Sequence, residues 1–202
     1  MTRELQEALE DISRIRGQIA RSADFKGYGF ASVAASAFVA VAAAGLQALL
    51  ISDPAGQFSA FVGIWTGAAA LSVLLVAAEM VWRARRHHSG MAWDLVRAAA
   101  GQLLPAGAAG ALLTLVLMPA SPEIYVLIPS LWQVIFSLSL FASTRSLPLG
   151  AQGAAIWYLS AGLVNLSWLS AGAALSPWTM GIPFGVGQAL LAFALRPRGA
   201  KP

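Results

Sequence analysis

Glu79 is the one ionisable side chain set well inside an apolar run of this chain. A carboxylate at membrane depth is a functional suspect by default, as a proton carrier or a ligand's counter-ion. Trp82, a residue type common at membrane interfaces, stands three positions on, so Glu79 sits only about 4.5 Å further in along a helix. Arg83 follows one i,i+4 step later, and the two can pair and reach the surface together. That structural use leads, because a proton-coupled role requires Glu79 to face the bundle interior. His87 and His88 are the only histidines. As neighbours on a helix they point about 100° apart and cannot converge on a metal, and the arginines beside them repel a cation. No histidine lies in an apolar run, which leaves haem without an axial ligand there.

Other catalytic constellations are missing. There is no cysteine, hence no disulfide, thiolate ligand or cysteine nucleophile. No H-E-x-x-H, G-x-S-x-G or phosphate-binding glycine loop occurs, and a serine nucleophile at depth would have no histidine base. The sequence supports neither an enzyme nor a cofactor.

Polar chemistry within the apolar runs rests on amides: Gln47, Gln102, Gln133, Asn165 and Gln188. Gln133 follows Pro129, and Gln188 follows Pro183. Irregular backbone near proline exposes polar groups that a small ligand could use, with Trp132, Trp157, Tyr158 and Trp168 as flat walls. The candidate ligand-binding set is therefore Trp132, Gln133, Trp157, Asn165, Trp168, Pro183 and Gln188. The competing use is plain helix joining, since interhelical amide hydrogen bonds contribute about 0.6–2 kcal/mol without a ligand. The stretch Ile128-Pro129, then Trp132-Gln133, also resembles Ile182-Pro183, then Gly187-Gln188. Such pairs of broken helices can mark the repeats of a transporter, though the register here is imperfect.

The elements that must position these residues follow from composition and charge. With 58% hydrophobic and 11% charged residues, the chain is too apolar for an ordinary soluble domain. Crossing a hydrocarbon layer of about 30 Å takes about 20 helical residues. Six apolar runs qualify, near residues 28–51, 60–82, 98–118, 124–142, 154–175 and 177–195. All thirteen Lys and Arg residues fall before the first run, after the second, fourth or sixth, and none in the other three loops. Basic loops stay cytoplasmic, so both termini are expected inside. The same rule accounts for the net charge of +4 without nucleic acid, which is an unlikely partner. The expected fold is all-α: an integral membrane bundle of six transmembrane helices over residues 28–195, preceded by a cytoplasmic amphipathic helix within residues 1–27 and followed by a basic tail at 196–202. The expected location is a bacterial inner membrane. The charged segment ahead of a full-length first run argues against a cleavable signal peptide.

In the N-terminal segment Leu5, Leu9, Ile12, Ile15 and Ile19 recur at helical spacing on one face. The polar face mixes signs, whereas membrane-surface helices are mainly basic there. The stripe is thus a candidate contact for a cytosolic protein or a second copy of the chain, with the lipid surface as the other use.

Residues 131–138, LWQVIFSL, and 176–188, SPWTMGIPFGVGQ, resemble segments of a group of small uncharacterised bacterial inner-membrane proteins with six spans behind a charged N-terminal helix. The resemblance covers most of the chain and brings no catalytic residue. It implies a sensory or regulatory role, because genes of this kind neighbour winged-helix transcription regulators, and it points to Trp132, Gln133, Trp178, Pro183 and Gln188. The leading expectation is a membrane protein that binds a small apolar or amphiphilic ligand and signals to a cytosolic partner. A transporter, or the substrate-binding subunit of one, is the alternative, and a structural subunit of a larger complex is the third.

Overall fold

The computed structural model describes residues 29–87, 92–143, 147–148 and 150–196, together with Ile12. Leu5, Leu9, Ile15 and Ile19 of the N-terminal stripe lie outside the described residues, as do the side chains of His87 and Gln102. Ile12 is helical and exposed.

An alanine-rich sequence, the best intrinsic helix former, makes α1 (Phe30–Leu50). It ends where Ile51 turns extended, and Asp53 then closes a turn by accepting the Ala55 N–H on its side chain. Helix α2 (Phe58–His87) has 30 residues and is about 45 Å long at helical rise, so it outlasts the expected span and runs on through the arginines. Helix α3 (Ala92–Leu117) carries Pro105 in its interior.

The fourth apolar run divides into a single turn, α4 (Pro122–Tyr125), and α5 (Ile128–Ala142). Pro129 accounts for the break: it has no N–H to donate to the Tyr125 carbonyl, and its ring would clash with that carbonyl in a continuous helix. It therefore opens a helix within the fourth apolar run, a run expected as one span over 124–142. The Tyr125 hydroxyl donates to the Ala55 carbonyl at 2.9 Å, pinning the broken segment to the α1–α2 turn. Helix α6 (Ala151–Ser170) stops five residues short of the expected end because Gly172 takes a left-handed φ of 87°. Helix α7 (Trp178–Ala194) contains Pro183.

The helices form a ring. Helix α1 packs on α2 and α7, α7 on α6, α6 on α5, and α5 on α3, while a thinner α2–α3 contact closes the circle. Two clusters fill it. One, toward the end carrying Asp53 and Glu123, joins Ala44, Phe61, Trp65, Ile128 and Met180. The other, toward the end carrying Arg83, Arg97 and Arg196, joins Val33, Leu140, Ala154, Tyr158 and Leu191.

Size is sorted against the usual rule for soluble proteins. Alanines 40, 43, 44, 154 and 155 are buried, whereas Phe38, Leu49, Leu115 and Val116 point outward, Leu49 being 84% exposed. Small residues between helices and large apolar ones outside is the arrangement lipid favours, because close backbone packing replaces hydrophobic drive. Three helices are long and apolar enough to cross a membrane: Phe30–Leu50, Phe58–Arg83 and Pro122–Ala142, the last counting α4 and α5 together. Shorter apolar helices cover Leu103–Leu117 and Trp178–Ala194. Among the described residues there is no strand.

Candidate functional site: an amide latch at Pro183 of α7

Proline has no N–H, so Pro183 leaves the Thr179 carbonyl, four residues earlier, without its partner in α7. A carbonyl withdrawn from solvent needs a donor elsewhere, and Thr179 is half-buried. Two side chains supply it. Gln133 of α5 donates through Nε2 at 2.9 Å, and Asn165 of α6 donates through Nδ2 at 3.0 Å. The second Asn165 proton goes to Gln133 Oε1, also at 3.0 Å, so the amides brace each other. One turn further, Trp157 Nε1 of α6 donates to the carbonyl of Pro183 itself at 3.0 Å. Gln133 is wholly buried, and Gly162 of α6 makes the approach possible by lying against the Gln133 and Val134 side chains.

Four of the seven candidate residues, Gln133, Trp157, Asn165 and Pro183, therefore meet around one proline and tie three helices together. Their amide donors are spent on protein atoms, whereas no described donor reaches Asn165 Oδ1. The arrangement is a latch with one acceptor left over, rather than an open cup. Gln188 lies further along α7, against the Tyr158 hydroxyl. There the Tyr158 ring occupies the space above Gly187, where any Cβ would overlap it, and stacks edge-on with Phe136 and Phe184.

The structure does not bring Trp132 or Trp168 to the latch. Trp132 turns to α3, where its Nε1 donates to Thr114 Oγ1 at 2.9 Å and approaches the Gly110 carbonyl at 3.3 Å. Trp168 is 66% exposed on the outside of α6. The partner for both amides, Thr179, was absent from the candidate set, although counting four residues back from Pro183 identifies it.

Glu79 has a different use. Its Oε1 accepts from Arg83 Nε at 2.8 Å, as the i,i+4 spacing predicts, and its Oε2 accepts the Ser32 backbone N–H at 2.8 Å. Ser32 lies in the first turn of α1, where N–H groups have no partner within the helix and a negative charge is favoured. The carboxylate of α2 thus caps α1. Gly29 leaves room for this approach, since a Cβ there would meet the carboxylate and push it aside. With both oxygens engaged and the side chain only 15% exposed, Glu79 fixes the α1–α2 junction.

A second buried polar contact joins these helices at the other end, where Trp65 Nε1 donates to Gln47 Oε1 at 2.7 Å. Gln47 Nε2 and Ser130 Oγ are buried without a partner. Among the described residues, no three of His, Cys, Asp and Glu gather as metal ligands would. Compared with protein-family models, curated proteins and solved structures, the chain matches none.

Proposed function

We propose that the protein is a membrane-embedded binding or sensory protein, in which a small apolar or amphiphilic ligand acts on the latch at Pro183 of α7. The observation that carries this reading is that the Thr179 carbonyl is held by two side chains from two other helices. Side-chain bonds of this kind average about 0.6 kcal/mol in membranes, so a ligand donor or acceptor can exchange with them. Asn165 Oδ1 offers the first point of attachment. Releasing the carbonyl would loosen α7 from α5 and α6 together. The N-terminal helix, through Leu5, Leu9, Ile12, Ile15 and Ile19, would carry the change to a cytosolic partner or a second copy.

Membrane placement is supported by the three long apolar helices and by the outward-facing large side chains. Helices α3, α6 and α7 would complete six crossings. The basic end, with Arg83, Arg85, Arg86, Arg97 and Arg196, would face the cytoplasm of a bacterium. A transport role has less support, because Pro129 opens a helix while Pro183 lies inside one, so the two positions are not equivalent.

Native mass spectrometry of protein gently extracted from its own membrane tests the reading. A co-purifying small molecule, lost in Gln133→Leu/Asn165→Leu, is expected. A wild-type protein carrying only a stoichiometric protein partner would sink the ligand reading and favour a structural subunit.

A further inference from the structure

At the basic end, α1 and α7 separate into a groove of about 220 Å³ between Phe30, Ala34 and Ala37 on one side and Ala189, Phe193 and Arg196 on the other. The alanines keep its floor low. Phe193 is 67% exposed, so the groove opens sideways onto the apolar exterior rather than into the bundle. At its mouth the Arg196 guanidinium lies 5.2 Å from the ring centres of both Phe30 and Phe193. That is within the reach of a cation–π contact, so the two rings seat the charge. Among the described residues no carboxylate pairs with Arg196; the Glu79 carboxylate nearby is taken by Arg83 and the α1 N-terminus.

We propose that this groove binds an anionic phospholipid, with part of one acyl chain between α1 and α7 and the phosphate on Arg196. At about 220 Å³ the groove takes a short segment of an acyl chain, not the whole of one. The charge complementarity selects the occupant: an apolar slot reached from the lipid side and ending at an unpaired cation matches a chain with an anionic head. Guanidinium groups bind phosphate through planar, paired hydrogen bonds, and basic pockets between membrane helices take anionic head groups. In sequence, Arg198 and Lys201 follow within five residues and would add to the same field. The site rests on the membrane-embedded reading but is independent of the amide latch.

The test uses the full chain, delipidated in detergent and offered equimolar phosphatidylglycerol and phosphatidylcholine with identical chains, with retained lipid counted by native mass spectrometry. Wild type is expected to retain phosphatidylglycerol preferentially. Arg196→Gln should lower the ratio of the two lipids about five-fold, the equivalent of the ~1 kcal/mol typical of one basic residue at an anionic surface. Ala189→Leu, which fills the groove from an exposed position, should reduce retention of both. An unchanged ratio in Arg196→Gln overturns the proposal, as does full retention in Ala189→Leu. Inorganic phosphate that displaced the lipid and was itself retained would make this a free-anion site. Higher lipid retention after deletion of residues 2–22 would mean that the chain's own N-terminus fills the groove. Either result refutes lipid as the resident. Loss of all lipid binding from a protein that also fails to fractionate with membranes would overturn the membrane reading too, which separates the two failures.

Discussion

Replacing both latch amides should destabilise the bundle by more than the two single replacements together, and residue 183 should decide whether it does. Gln133→Leu removes the bond to Thr179 and the one accepted from Asn165. Asn165→Leu removes its bonds to Gln133 and to Thr179. At an average of ~0.6 kcal/mol per interhelical hydrogen bond, each single variant loses about 1.2 kcal/mol, and together they sum to about 2.4. Either one leaves the Thr179 carbonyl a donor. The double variant removes three bonds, about 1.8 kcal/mol, and strands the carbonyl of half-buried Thr179, about 1–3 kcal/mol more. It should therefore cost about 3–5 kcal/mol. In a Pro183→Ala background the residue-183 N–H returns to the carbonyl. The excess should vanish there, and the double should cost about 0.6 kcal/mol less than the sum, because the shared amide–amide bond is counted once. Reversible unfolding in mixed micelles, followed by circular dichroism, measures the cycle. A sub-additive double variant in the Pro183 protein, or an excess that survives Pro183→Ala, would refute the claim that the amides stand in for proline's missing donor.

Gly187→Ala should cost about 1–3 kcal/mol by forcing the Tyr158 ring aside, and Tyr158→Leu in the same chain should recover part of that in the same unfolding assay. Glu79→Ala should lose about 1–2 kcal/mol with the cap on α1, whereas Glu79→Gln, which keeps an acceptor, should lose less; hydrogen exchange at the α1 N-terminus reads the difference. Trp65→Phe leaves the Gln47 amide without any partner and should cost about 1–3 kcal/mol, while Trp65→Phe/Gln47→Leu should be nearly neutral by thermal unfolding.

How far the sequence could be read depended on whether a feature was local. The Glu79–Arg83 pair follows from i,i+4 spacing alone. Its second role, capping α1 across 47 positions of sequence, needed the packed helices. Prolines and amides marked the latch by type, and helix geometry already placed a free carbonyl at Thr179. Which amides would reach it depended on how α5 and α6 rotate against α7. Trp132 illustrates the limit: it adjoins Gln133, but neighbours on a helix point about 100° apart, so when one faces α7 the other meets α3. Helix ends were misjudged where one residue controls the backbone. Pro129 splits the fourth apolar run, and Gly172 ends α6 early. Hydropathy averages over both, since neither residue changes the apolar character of its surroundings. The α1–α7 groove left no sequence signal, because it arises from alanines on two helices distant in the chain.

The proposed placement, within a membrane with the basic end inward, is tested most directly by single-cysteine accessibility, the natural chain having no cysteine. Gln57→Cys, Ser121→Cys and Ala174→Cys occupy exposed positions in the three loops without basic residues, while Arg85→Cys and Gln152→Cys are exposed at the basic end. In intact bacterial cells, a membrane-impermeant maleimide should label the first three, and the other two should react only after lysis. Labelling of Arg85→Cys from outside, or a protein that does not sediment with membranes, would contradict the account.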